Sequence, residues 1–367
     1  MSQAFPFGYP VPTATYLVLY VVTLAVHVLF MNYVLAGSCT LGITALVGRA
    51  EERRRGTVRQ ALVDWLPFAV GLAITAGVAP LLFLQILYEK SFYTANLLLF
   101  HRWMLIVPAL IAGFYLLYLL KSDWAKARPR VWRVAALGAF LCFFFVAWSW
   151  TENHLLSRDA DAWVPTYASG KLVYHSEELV PRLCMWIFGS ASTMAVALGW
   201  QLRGLARRGV DVPEGQRRLV ARLGLLGCVL GGLAAVVYSQ TATVDVVAVA
   251  TGPLALPYTV VTVVGGAMQL AGWVIMHRRG ELTEGTLTII SIGLALALLA
   301  SGVVRESVRL VHTDMSAYYP QHVAAAEAGG RWLFFVFLVV NALVAAFAIR
   351  LGVVASRSGA DELNEAE

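Results

Sequence analysis

The sequence predicts an all-α fold: a polytopic membrane helix bundle of about nine transmembrane helices, N-terminus outside and C-terminus in the cytoplasm. Three observations carry that expectation. Of 367 residues, 59% are hydrophobic and only 14% charged, with a mean hydropathy of +0.70; soluble domains run nearer about 45–50% apolar and about 25% charged. Apolar stretches of roughly 20 residues, the length that crosses a hydrocarbon core, recur along the chain. The charged connections between them alternate in composition. So much apolar surface cannot be hidden in a soluble globule, which excludes soluble enzymes and disordered chains.

The spans are expected near 15–47, 62–88, 97–120, 134–150, 180–202, 219–238, 257–276, 287–304 and 332–354, all within one integral-membrane domain. The first follows an uncharged N-terminus without a basic leader, so no cleaved secretory signal is expected. It stops at the basic run Arg49–Arg59. The second ends at Glu89, and the third runs into Lys121. The fourth lies between Arg133 and the polar, aromatic loop Thr151–Leu179, which holds Trp163, Tyr167 and Tyr174. The fifth ends at Arg203, and the sixth ends at Tyr238. The seventh stops at Arg278–Arg279, and the eighth runs into Arg305. The ninth leads to an acidic tail over 355–367, expected to be disordered. Alternating ten-residue strands are absent, and open sheet leaves unpaired edges in lipid, so the spans are helices.

One set of connections, counted with the C-terminal tail, holds 20 of the 28 Lys+Arg, and the other holds 8. The positive-inside rule puts the first set in the cytoplasm. The net charge of +6 is then a topology signal, and no nucleic-acid partner is expected. No inner loop carries a Gly-rich phosphate cradle, which argues against ATP-driven transport within this chain. The four cysteines, Cys39, Cys142, Cys184 and Cys228, lie in apolar runs without C-x-x-C spacing, so they read as small buried hydrophobes rather than metal ligands.

Titratable groups inside a span are costly, and each is a candidate for function. His27 stands alone in Leu24-Ala25-Val26-His27-Val28-Leu29-Phe30, as an axial haem ligand or as an imidazole satisfied by a backbone carbonyl. His101 and His154, candidates for a metal or haem site, stand at span ends beside Arg102 and Glu152, which are placed to pair with each other. His175, His277 and His322 read as solvated. Glu306 and Arg309 are spaced i, i+3 and share a helix face if the eighth helix continues. They read as a boundary ion pair, or as a carboxylate ligand with a guanidinium suited to a haem propionate.

These residues are similar to a known family. The segment Thr23–Phe30 and the end of the eighth span, Glu306-Ser307-Val308-Arg309, resemble subunit I of the cytochrome bd quinol oxidases, as does the nine-span, N-out, C-in plan. In that family the first-helix His and the Glu of Glu-x-x-Arg ligate haem near the outer face. The resemblance implies haem b held by His27 and Glu306 as iron ligands, with Arg309 at a propionate, and quinol as a second cofactor. It also implies a bacterial cytoplasmic membrane, lipid, other membrane subunits, and a c-type cytochrome on the outer side as partners. The departures are specific. Where the family's fifth helix begins with a haem-ligating His, this chain reads Pro181-Arg182-Leu183-Cys184-Met185-Trp186, with Cys184 and Met185 as substitute ligands or that haem lost. The family's third-helix glutamate pair falls on apolar residues, and its long quinol loop shrinks to Ser239–Pro257. The expected function is a haem-b-binding subunit of a bd-like respiratory electron-transfer complex. The alternatives are a true quinol:oxygen oxidoreductase, a cofactor-free scaffold and a transporter.

Overall fold

The structure, a computed structural model, describes residues 8–47, 56–330 and 332–340, together with 343, 347 and 350. The described residues are helical with no strand. The long helices are α1 (Val11–Val47) and α2 (Thr57–Leu87), then, beyond the short α3 (Glu89–Leu98), α4 (Phe100–Lys121) and α5 (Pro129–Arg158). After α6 (Trp163–Ser169) come α7 (Leu179–Arg207) and α8 (Glu214–Thr241). A short α9 (Val246–Thr251) leads to α10 (Leu256–Arg279) and α11 (Glu284–Val311). Eight of these are long and apolar enough to cross a membrane, or nine if the pair Met315–Glu327 and Trp332–Val340, bent by 60°, counts as one span. The chain is a multi-pass membrane protein. Much of the expected ninth span, and all of the acidic tail, lies outside the described residues.

The helices overrun the apolar stretches that announce them. The fourth span, expected over 134–150, is a helix over Pro129–Arg158. A hydropathy scan stops at the first charge, but the helix goes on because its backbone groups still need internal partners near the lipid boundary. The expected loops over 89–96 and 239–257 likewise contain α3 and α9, and 305–331 begins as the last two turns of α11.

Within Met1–Met315, α1 sits centrally and packs against α2, α5, α7 and α11, while α4 pairs with α5, α7 with α8, and α10 with α11. The shared core joins Leu62 and Leu66 of α2, Leu117 and Leu120 of α4, Ala136 and Ala139 of α5, Leu198 and Leu202 of α7, and Trp273 of α10. Small residues let backbones close, as membrane bundles without a hydrophobic drive between helices require. A Cβ added to Gly265 would stand 2.5 Å from the Gly293 carbonyl oxygen, and one on Gly224 would stand 2.3 Å from the Trp273 ring. Pro67, Pro80 and Pro108 sit inside helices α2 and α4, tolerated where neighbouring helices satisfy the freed backbone groups. The second unit, Ser316–Glu367, carries α12 (Tyr319–Glu327).

Candidate functional site

Two sets of polar groups are built into this bundle. The first centres on His27. Its Nδ1 lies 2.9 Å from the carbonyl oxygen of Ala73 on α2. A carbonyl only accepts, so Nδ1 carries the proton and, in the neutral ring, Nε2 is left with a lone pair. Gly77, one turn further along α2, lets the ring pack against the backbone: a Cβ there would stand 3.0 Å from Cε1 and Nδ1. An imidazole anchored through one nitrogen to a carbonyl, with the other nitrogen available, is how metal-ligating histidines are held. His27 could therefore hold a haem iron through Nε2.

The second set gathers where α1 begins, an end called here the first face. Glu306 of α11 is fully buried. The Tyr88 hydroxyl donates to its Oε1, and Arg305 reaches its Oε2 at 3.2 Å. Arg305 also donates to the Tyr20 hydroxyl at 2.8 Å, which ties α11 to α1. Arg309 lies over the Tyr88 ring, 3.6 Å from its centroid.

Beside it runs a second network. Arg158 of α5 pairs with Glu178 at 2.6 Å, the two side chains 4% and 3% exposed. Glu178 Oε1 accepts from the Thr243 backbone N–H at 3.0 Å and from its hydroxyl at 2.9 Å, while Tyr238 donates to Oε2 at 3.3 Å. Burial pushes the Glu178 carboxyl up, but Arg158 and Thr243 outweigh it and hold it below the usual carboxylate range. Arg182 donates to the Tyr238 hydroxyl at 2.7 Å and to His154 Nε2 at 3.0 Å. A guanidinium has no acceptor, so His154 uses the Nε2 lone pair here and its ring is neutral. His312, capping α11, is held below the ordinary imidazole range by burial and then by Arg158. Arg102 and Glu152 pair at 2.7 Å, as the sequence suggests, and Glu152 also accepts the Tyr174 backbone N–H at 2.6 Å.

The expected site residues are therefore partly assembled. Glu306, Arg309 and His154 belong to one buried cluster. His27 does not join it: it follows Tyr20, the residue that touches Arg305, by about 10 Å along α1 at 1.5 Å per residue. His27 and Glu306 are not brought together as two ligands of one iron, and both Glu306 oxygens already accept hydrogen bonds. His101 is exposed beside Phe100, away from the cluster. Cys184 and Met185 are half-buried on the first turns of α7, but the residue there that enters the network is Arg182. His322, expected to be solvated, is instead buried, its ring stacked on Tyr318 of the same unit at 6.3 Å. The reason is local: i, i+4 spacing on a short helix brings the two rings together. His175 is exposed, as expected.

Arg158, Glu178, Tyr238, Thr243, Tyr20, Tyr88 and Gly77 were not expected. The only sequence signals were an arginine at the head of an apolar run, Arg182, and tyrosines at span ends. Among the described residues, no three or more His, Cys, Asp or Glu side chains gather at metal-holding distance. The chain matches no protein-family model, no curated protein and no solved structure.

Proposed function

We propose that this chain is a haem-b-binding integral-membrane subunit of a cytochrome bd-like respiratory complex. It would pass electrons between membrane quinol and a partner on the outer face, a c-type cytochrome. The observation that carries the reading is the His27 site: a titratable ring inside a span, oriented by the Ala73 carbonyl through Nδ1, with Nε2 outside that bond and the ring packed against Gly77. The cofactor, when bound, supplies one-electron transfer; the protein supplies ligand, burial and orientation. In this reading His27 holds the iron and Ala73 fixes the ring. Glu306, engaged by Tyr88 and Arg305, ties α2 and α11 together at the first face, and Arg309 offers its guanidinium to a carboxylate. The asymmetry of Lys and Arg between the two sets of loops supports placing the first face outside, and the resemblance to the bd family supports a bacterial cytoplasmic membrane.

The test is a pyridine haemochrome assay on the purified chain, followed by reduction with a soluble quinol analogue. Haem b present and reducible by quinol is the expected result. A second reading, a cofactor-free scaffold, is favoured by the same Ala73 hydrogen bond, because it satisfies the ring without any ligand. A well-folded chain purified without haem supports the scaffold and overturns the haem reading.

A further inference from the structure

The end of the bundle away from the first face is rich in cations. From Arg203 to Arg222 and from Arg278 to Glu284 the chain carries eight arginines and four carboxylates. Those arginines are not used alike. Arg203 and Arg207 reach Glu284. Arg217 donates to the carbonyls of Gly280 and Val212 at 2.8 and 2.9 Å, which ties the start of α8 to the end of α10. Arg218 pairs with Glu214 at 2.6 Å, yet its Nε is buried with no hydrogen-bond partner. Arg222 and Arg278 are exposed and pair with no described carboxylate. His277 stands one turn beyond Trp273, whose ring packs on Gly224, so it lies on the side of α10 toward α8, and its Nδ1 is buried without a partner.

The same surface turns apolar toward the middle of the bundle. Arg222 shares a helix face with Leu226, Val229 and Leu233, at i+4, i+7 and i+11, and all four are exposed. That stripe is about 16 Å long at 1.5 Å per residue, against about 15 Å for one leaflet of the hydrocarbon core. On α10, His277, Leu270 and Val263 follow one another at two-turn intervals on one face, and the last two are exposed. We propose that Arg218, Arg222 and Arg278, with His277, seat the phosphate of an anionic phospholipid whose acyl chain lies along the α8 stripe. A guanidinium on a lipid-facing stripe extends to the headgroup level, where phosphate oxygens match its fork. A free phosphate would leave the apolar stripe unused, and a choline headgroup would bring its own cation to an end already in excess of cations. The inference goes beyond the haem reading, needs no cofactor, and holds for whichever leaflet this end meets.

The test uses the full chain in detergent, given equal amounts of phosphatidylglycerol and phosphatidylcholine, with the lipid kept through gel filtration counted per chain. The wild type is expected to retain phosphatidylglycerol over phosphatidylcholine by about tenfold or more. Arg222→Gln and Arg278→Gln should each cut that preference about fivefold, the worth of one arginine at an anionic surface. Both side chains are exposed, so each variant should keep the wild-type Tm in detergent alone. Arg130→Gln, at the same end on α5 and also exposed, is the control and should leave the preference unchanged. The proposal is overturned if the wild type retains the two lipids equally, or if Arg222→Gln and Arg278→Gln retain them as the wild type does. It is overturned as well if Arg130→Gln lowers the preference as far as Arg222→Gln, because the attraction then belongs to the charged end as a whole. Displacement of the retained lipid by glycerol 3-phosphate, a headgroup without chains, would also overturn it, since the site would then serve a free phosphate. A chain purified without haem gives the same readings, so failure here and failure of the haem reading are separate results.

Discussion

The two ends of the bundle use the same residue types in different solvents. At the first face, Arg158 and Glu178 are locked together almost without exposure, and Glu306 is sealed under Tyr88 and Arg305. At the opposite end, Arg203 and Arg207 reach Glu284, and Arg218 reaches Glu214 at 2.6 Å, with side chains 41% and 55% exposed in the latter pair. Arg217 there only caps the carbonyls of Gly280 and Val212. Wet pairs are screened and can be broken at little cost. Dry pairs are costly to assemble and costlier to break, so a chain that keeps several at one end carries groups that invite a functional explanation. The opposite end is the topology signal; the first face is where the buried charges gather.

Breaking a pair at each end tests that contrast. The largest effect is expected from Arg158→Ala, which strands the buried Glu178: about 3–5 kcal/mol of stability lost, read by chemical unfolding in detergent. Replacing both partners with methionine should restore much of it, and a double replacement as harmful as the single one would contradict the contrast. Next is Gly77→Ala. Its Cβ would stand 3.0 Å from the His27 ring, which must shift by a few tenths of an ångström against its Ala73 hydrogen bond, at about 1–3 kcal/mol for overpacking. A variant with unchanged stability and unchanged haem would show that the ring is not held there. Acid should act on the first face in two stages. The folded-state values of His312 and Glu178 are both lowered, so the stability each contributes is full above its unfolded value and is lost as pH falls toward the folded one. Loss begins as pH drops through about 6.5 for His312 and deepens below about 4.5 for Glu178. The wild type should therefore lose more stability between pH 7 and pH 4 than His312→Gln does. The smallest effect belongs to the opposite end: Glu214→Ala, one member of an exposed i, i+4 pair, should cost no more than about 0.5 kcal/mol.

How legible the molecule is in its sequence follows the same division. The helical class and eight of the nine expected spans are written in hydropathy, because lipid forces every backbone group to be satisfied within a helix. His27 is legible as a candidate because a lone imidazole in an apolar run is costly unless something satisfies it. Its partner is not, since the Ala73 carbonyl is backbone and Gly77 acts by lacking a side chain. The first-face network hides for another reason. Glu152, His154 and Arg158 look like loop residues to a hydropathy scan but form the last turns of α5. Glu178 finds Thr243 only because α7 and α8 pair along their length. Charges that neutralise one another across helices leave no local pattern to read.

The most direct measurement is a dithionite-reduced minus oxidised spectrum, with haem quantified per chain, on the wild type and on His27→Ala. Haem b in the wild type and its loss from a His27→Ala protein of unchanged helical content is the predicted result. Equal haem in both proteins, or none in a folded wild type, would contradict the assignment of His27 as the ligand.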